Sequence, residues 1–246
     1  IALGAPKASF TDSNGQHWAE AGAVLIYRAT GTGWAFEAML TSTTPDHFEQ
    51  FGLSVDIDAG MLVVGIPNAD SGADQNGNQG AIEVFSSSSG LWQRLNRLET
   101  PVFTTAGANF GASVAINGST IAVGEPGYVF ERGRAWVLEQ AFDGDTDWLD
   151  VSSLDLLIST PPGLPGGARM GAAIDLTDCT VIVGGPGNGV VPTFTGQAWV
   201  FTRAANSPNS WSFLNTPLLG MNPGDGFGDA VAVNSTTIAV GAWLGG

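Results

Sequence analysis

Two stretches of the sequence hold most of the side chains that could bind an ion or a polar ligand, TDSNGQHWAE at residues 11–20 and ADSGADQNG at residues 69–77. Both resemble a calcium-binding loop, in which carboxylates alternate along the chain and the last acid binds through both oxygens. Neither has the complete set of acids, so the sequence favours solvated turns whose polar side chains hydrogen-bond their own backbone. Together with one tyrosine, the two stretches supply the candidate ligand-binding residues, which are Asp12, Asn14, His17, Trp18, Asp70, Asp74, Asn76 and Tyr128.

Catalytic chemistry has few candidates. Histidine is the side chain that changes charge near neutral pH, and the chain has only His17 and His47. Neither lies beside a nucleophile motif such as G-x-S-x-G, and the sequence has no phosphate-binding glycine loop or Cys/His metal cluster. Asp56 and Asp175 occupy equivalent positions in two copies of a repeated strand, and these copies lie two repeats apart. A pair of glycosidic acids needs a short separation, so a hydrogen-bonded structural role is favoured for both residues. We therefore predict a non-enzymatic protein with no catalytic residue, cofactor or metal site.

A repeated motif must position these side chains. The stretch FGLSVDIDAGMLVVGIP (residues 51–67) recurs at residues 110–126, 170–186 and 227–243, and residues 1–6 match its end. Alternating apolar residues, a polar turn and a continuous apolar run are typical of a β-hairpin with a buried second strand. Its marker glycine recurs about every sixty residues, as in a repeat protein. These glycines are Gly4, Gly65, Gly124, Gly184 and Gly241.

Two further strands complete each repeat. The third starts at a glycine, as in GAIEVF (residues 80–85), and keeps one apolar face. The fourth residue of this segment, which we call its middle slot, differs between the repeats, and this variation predicts a mixed face near the outside of the sheet. The residues in the middle slot are Leu25, Glu83, Trp136 and Trp199. The fourth strand is marked by a tryptophan that we expect to pack against the sheet. These tryptophans are Trp34, Trp92, Trp148 and Trp211.

The order of the strands predicts the fold. If the four strands are named A to D, the chain contains BCD, then ABCD three times, then AB. Radial repetition of four-stranded antiparallel sheets predicts an all-β fold, a β-propeller with about four repeats in this chain. The approximate bounds of the repeats are 1–48, 49–108, 109–168, 169–225 and 226–246.

The motif also resembles a known family. FG, SV and VVGIP followed by GAIEVF, and FG, SV and IAVGEP followed by GRAWVL, are similar to FG-GAP repeats, the units of the integrin α-subunit type of propeller. The resemblance covers essentially the whole chain and implies that residues 1–246 are part of a ring of about seven blades. Calcium-binding repeats of that family have an acidic D-x-D-x-D-G loop between strands A and B. Here this connection is two or three residues long, so the resemblance implies the variety without calcium loops.

The resemblance also implies an extracellular or cell-surface module that binds a protein or glycan partner, or neighbouring subunits of a larger assembly. In a propeller the B–C and D–A loops emerge on one side, and binding concentrates in loops on a rigid scaffold. The B–C loops at residues 7–21 and 68–79 are long and hold most of the candidates. The alternative is the propeller scaffold of a hydrolase whose catalytic module lies outside this sequence.

The composition narrows the classes of partner. A net charge of −15, from 8 basic against 23 acidic residues, disfavours nucleic acid and anionic membrane surfaces. No apolar run reaches the roughly 18 residues of a membrane-spanning helix. Cys179 is the single cysteine, so it cannot form an internal disulfide and is predicted to be a small turn residue.

Overall fold

The computed structural model is all-β, and this part of the predicted fold is confirmed. It describes residues 1–70, 77–88, 90–100, 106–140, 157–158, 164–189, 193–204, 210–214 and 216–243. Among these residues the only helix is one short turn, α1 (Tyr128–Glu131).

The strands follow one another in antiparallel pairs. In chain order they are β1 (Ala2–Ala5), β2 (Phe10–Thr11), β3 (His17–Trp18), β4 (Ala23–Thr30), β5 (Gly33–Leu40), β6 (Val55–Asp58), β7 (Met61–Ile66), β8 (Ala81–Ser86), β9 (Gln93–Glu99), β10 (Ser113–Asn117), β11 (Thr120–Glu125), β12 (Arg134–Glu139), β13 (Leu157–Ile158), β14 (Ala173–Leu176), β15 (Thr180–Gly185), β16 (Gln197–Thr202), β17 (Ser212–Phe213), β18 (Leu218–Leu219), β19 (Ala230–Val233) and β20 (Ile238–Gly241).

Five successive sheets contain all of these strands except β2 and β3, which form a small hairpin in the first B–C loop. The sheet orders are β1-β4-β5, β6-β7-β8-β9, β10-β11-β12-β13, β14-β15-β16-β17 with β18 also paired to β16, and β19-β20. The predicted series of BCD, three times ABCD, and AB is therefore confirmed.

Successive sheets are joined at glycines. A Cβ atom on Gly65, near the end of β7, would lie 3.0 Å from the carbonyl carbon of Gly111 in the next repeat and closer still to its oxygen. The glycine that opens each third strand makes a parallel bridge to the next motif, as between Gly80 and Phe110. The equivalent pairs are Gly4–Gly52, Gly124–Gly171, Gly184–Gly228, Gly22–Phe51, Gly133–Met170 and Gly196–Phe227. The glycine spacing of the sequence thus follows from backbone contacts that leave no room for a side chain.

The hydrophobic core is divided into layers between successive sheets. Between the second and third sheets, Val63 and Ile82 pack against Val123 and Trp136. The neighbouring Leu62 points the other way and packs toward the first sheet. Strand B is almost entirely buried in the second, third and fourth sheets, where it is β7, β11 and β15. In the first and last sheets the prediction of a buried strand B is wrong, since β1 and β20 combine half-buried and exposed residues.

The middle slot of strand C corrects one prediction. Glu83, Trp136 and Trp199 are at most 1% exposed, so they do not form a mixed outer face. The slot faces the preceding sheet, and a side chain there lies between two sheets. Leu25, in the first sheet, is half-buried.

The tryptophans of strand D were expected to pack against the sheet. For Trp34 this is wrong, since it is 58% exposed at the tip of the β4–β5 hairpin, beyond the core layers. Trp92 and Trp211 immediately precede β9 and β17 and pack against the core. Trp148 lies outside the described residues.

The first strands of successive sheets lie side by side, β6 beside β10, β10 beside β14 and β14 beside β19. Asp56 Oδ2 accepts the N–H of Ile116 in the next sheet at 2.8 Å, and Asp175 Oδ2 accepts the N–H of Val233 at 2.7 Å. The other oxygen of each aspartate accepts the N–H of the following residue. The predicted hydrogen-bonded structural role is confirmed, because each carboxylate ties two first strands together.

Candidate ligand-binding loop face

We call the side of the sheets that carries the B–C and D–A connections the loop face. Its first candidate loop is closed by its own aspartate, because Asp12 Oδ1 accepts the N–H groups of Asn14 and Gln16, both at 2.9 Å. Asp12 Oδ2 accepts the indole N–H of Trp18 at 3.2 Å. These bonds, above all the one from Gln16, lower the pKa of Asp12. The carboxylate is thus occupied by the turn, as the sequence predicted.

The other predicted side chains of this loop do not converge on one point. Asn14 and His17 are exposed. Trp18 is half-buried and packs against His47, with ring centroids 5.4 Å apart. His47 Nδ1 accepts the N–H of Ala19 at 3.0 Å. Trp18 therefore connects the first loop to the D–A loop before the second sheet.

Asp70, in the second candidate loop, lines a cavity of about 280 Å³ that we call the acidic cavity. The rest of its wall is Asp46, His47, Phe48, Glu49, Asn68 and Asn78. Asp70 Oδ1 accepts the N–H of Asn78 at 3.0 Å. Asp74 and Asn76 lie outside the described residues.

Glu49, in the wall of the acidic cavity, belongs to a buried charge cluster. Its Oε1 lies 3.5 Å from Arg97 Nη2, and its Oε2 has no hydrogen-bond partner among the described residues. Arg97 Nη1 lies 3.4 Å from Oε1 of the fully buried Glu83, whose Oε2 also lacks a partner there. Burial raises the pKa of Glu49 to about 7 and also raises the pKa of Glu83, since Arg97 offsets only part of the effect. One guanidinium therefore serves two buried carboxylates.

A second cavity, of about 520 Å³, lies on the same face at the junction of the fourth and fifth sheets, and we call it the aromatic cavity. Much of its wall is glycine and proline, and the larger side chains are Arg169, Asn188, Phe194, Asp229 and Trp243. Trp243 is 63% exposed. Asn188 donates to Oε2 of Glu131 at 3.2 Å, and Arg169 Nε lies 3.9 Å from the same oxygen. Aromatic faces beside amide and charged groups can hold a sugar ring or a side chain of a peptide.

Tyr128, the remaining candidate, begins α1 in the third B–C loop and lines neither cavity. The guanidinium carbon of Arg134 lies 3.6 Å from the centroid of its ring. Arg134 is buried and pairs with Glu125 at 2.5 Å, and Trp136 Nε1 donates to the same carboxylate at 2.6 Å. The tyrosine ring therefore covers a buried ion pair.

Sequence reasoning missed Glu49, Glu83 and the aromatic cavity. Glu83 carried a signal, because it is a charged residue in an apolar strand at a slot that holds leucine or tryptophan in the other repeats. Trp243 carried another, because it replaces the proline that ends the motif in the other copies. No feature of the sequence indicated that Glu49 pairs with Arg97, since this ion pair joins a loop to a strand far along the chain.

Comparisons with known proteins return neither a matching family model nor a matching curated protein. Within the part of the chain that the structure describes, no three His, Cys, Asp or Glu side chains are placed to hold one metal ion. No helix in that same part is long and apolar enough to cross a membrane. Any functional assignment therefore depends on the geometry of the loop face.

Proposed function

We propose that this chain is a non-enzymatic interaction module of the extracellular space or the cell surface, which binds a protein or glycan partner or a neighbouring subunit through its loop face. The observation that carries the proposal is that both cavities lie among B–C and D–A loops, although they belong to different junctions. Binding sites on rigid repeat scaffolds concentrate in such loops.

The proposal includes a β-propeller of the FG-GAP type. Its support is the constancy of the junctions, in which the same glycine contacts join each sheet to the next and the first strands lie side by side. A constant junction rotates every sheet by a similar amount relative to the one before, and repeated rotation about one axis generates a ring. A ring of about seven such sheets is what the FG-GAP resemblance implies.

Several titratable groups support a non-enzymatic role. Asp56 and Asp175 each accept two backbone N–H groups. Asp12 accepts two backbone N–H groups and one indole N–H, and His47 Nδ1 accepts a backbone N–H. Groups engaged in this way hold the backbone, whereas a general acid or base needs its proton site directed at a substrate.

Charge and ring faces indicate the kind of partner. With a net charge of −15, the chain attracts basic surfaces and repels polyanions. In the aromatic cavity, Phe194 and Trp243 lie with Asn188 and Asp229. Rings can stack on the apolar face of a sugar while amide and carboxylate groups bind its hydroxyls.

A binding screen of the purified chain against immobilised glycans and extracellular matrix proteins tests the proposal. Any partner found should bind Asp70→Ala or Asp229→Ala more weakly than the wild type. The control is Asp178→Ala, which removes the same kind of carboxylate from the exposed A–B turn at the opposite end of the fourth sheet. Equal weakening by the control, or turnover of an ester or glycoside without any binding partner, would contradict the proposal.

A further inference from the structure

The sequence contains two motifs of the type at which asparagine accepts an N-linked glycan. Such a motif is asparagine, any residue except proline, and then serine or threonine. The two motifs are Asn117-Gly118-Ser119 and Asn234-Ser235-Thr236. Both begin at the A–B turn of their sheet, between β10 and β11 in the third sheet and between β19 and β20 in the fifth. The same motif can therefore be compared at equivalent positions in two different surroundings.

The turn that contains Asn234 is open to solvent, and all four residues 234–237 are exposed. Asn234 Oδ1 accepts the N–H groups of Thr236 at 2.9 Å and of Thr237 at 2.8 Å. The hydroxyl of Thr236 lies 3.3 Å from the same oxygen. Asn234 Nδ2 donates to none of the described residues. The turn thus uses the side-chain oxygen and leaves the nitrogen free.

A glycan on Asn234 Nδ2 is compatible with this turn. A glycosylated asparagine keeps its amide carbonyl, so Oδ1 can still accept both backbone N–H groups. A sugar on an exposed side chain also stays in water, so none of its hydroxyls has to be desolvated. The fold therefore needs no rearrangement to carry the glycan.

The turn that contains Asn117 has different surroundings. Asn117 is half-buried. The N–H of Gly118 donates to Asp58 Oδ2 of the preceding sheet at 2.7 Å, and the carbonyl of Ser119 accepts the N–H of Gln140 at 2.9 Å. A bulky group on Asn117 would press against the elements to which its turn is bonded. The structure therefore separates two motifs that the sequence alone treats as equal.

We propose that Asn234 is the acceptor of an N-linked glycan and that Asn117 is not. The inference rests on the extracellular or cell-surface location in the proposed function, because N-linked glycans are found on secreted and surface proteins.

The donor is a lipid-linked oligosaccharyl pyrophosphate, and a sugar transferase catalyses the step. Asn234 Nδ2 forms a bond to the anomeric carbon of the first sugar and gives up one proton. The bond between that carbon and the pyrophosphate oxygen breaks, and the lipid pyrophosphate leaves with the electron pair. No group is oxidised or reduced.

The position of Asn234 also has a consequence for binding. The A–B turns lie at the end of the sheets opposite the B–C connections. A glycan on Asn234 would therefore leave the loop face, with both of its cavities, free for a partner.

Secretion of the whole chain from cultured animal cells, behind a cleavable signal peptide, tests the inference. Release of the glycan by peptide-N-glycosidase in heavy-oxygen water converts an occupied asparagine to a labelled aspartate, which peptide mass spectrometry locates. The label should appear at Asn234 in most molecules and should be absent from Asn117.

Variants separate the transfer of sugar from a structural role of the turn. Asn234→Asp removes Nδ2 but keeps an oxygen for the two backbone N–H groups. It should lose the glycan, while its melting temperature stays equal to that of the deglycosylated wild type. Thr236→Val should also lose the glycan although Asn234 is present, and Thr236→Ser should retain it, because the motif needs the hydroxyl. The matched control Asn117→Asp should leave the glycan in place.

Three outcomes would overturn the inference. They are an unmodified Asn234 in the secreted chain, a glycan at Asn117, or a glycan that persists in Thr236→Val. A binding screen without any partner, by contrast, would contradict the proposed function and leave the glycan at Asn234, so the two failures are distinguishable.

Discussion

Replacing Gly65 with alanine should lower the free energy of unfolding by about 3 kcal/mol, near the upper end of typical overpacking costs. The added Cβ would lie 3.0 Å from the carbonyl carbon of Gly111 and closer still to its oxygen and to Ser54 Oγ. Gly111 and Ser54 cannot move away easily, because both are held by hydrogen bonds. The Gly111 N–H donates to the carbonyl of Gly124 at 3.0 Å, and Ser54 Oγ donates to the Gly111 carbonyl at 2.8 Å. The strain therefore falls on the junction between the second and third sheets.

Urea denaturation of Gly65→Ala measures this loss, and Gly31→Ala is the control because no atom lies within 4 Å of a Cβ at that position. The control should differ from the wild type by less than about 1 kcal/mol, with a small gain expected from the lower entropy of the unfolded chain. Gly124→Ala should reproduce the loss, since Gly171 and Ser113 surround it in the same way. A Gly65→Ala variant as stable as Gly31→Ala would refute the close junction.

Three further predictions concern polar groups inside the fold, of which Asp56 is half-buried. Burial raises the pKa of Glu49 from 4.5 to about 7, so the stability from its bound proton is present below pH 4.5 and is lost as pH rises through 7. Between about pH 5 and 8, Glu49→Gln should therefore gain on the order of 3 kcal/mol over the wild type in urea denaturation, and a pH-independent difference would contradict the assignment. Arg134→Ala leaves Glu125 buried without its cation and should cost about 3–5 kcal/mol in thermal denaturation. The double variant Glu125→Leu/Arg134→Met should recover most of this, and failure to recover would point to a different cause. Asp56→Ala removes the acceptor of the Ile116 N–H and should cost about 2 kcal/mol, with faster hydrogen exchange at that amide than in Asp56→Asn. Equal exchange in both variants would show that the bond does not hold the strands together.

The periodic features of the chain were predictable because local chemistry determines them. Alternating residues and short polar turns specify the A–B hairpin wherever they occur, and the glycine spacing specifies where one repeat meets the next. Asp56 and Asp175 shared a slot in the sequence, which correctly indicated a common structural role.

The features of the structure that depend on packing between sheets could not be predicted from the sequence of any single strand. From strand C alone Glu83 looks like an outer residue, and only the tertiary structure places Ser42, from the loop after the first sheet, against its carboxylate. Trp34 and Trp92 share one phase of the repeat, yet Trp34 is exposed where its hairpin extends past the core. The acidic cavity combines two loops separated by a whole hairpin, so its charge balance is a property of the tertiary structure.

The glycine junction also has a consequence for how such a chain can change over generations. The contacts of Gly65 with Gly111 and of Gly80 with Phe110 involve backbone atoms, so they do not depend on the identity of neighbouring side chains. A duplicated unit would meet both of its neighbours through the same contact, and a deleted unit would leave two compatible surfaces behind. Substitution of one such glycine, by contrast, damages two units at once. Inherited variation should therefore accumulate in the B–C loops, while the number of units changes in whole steps.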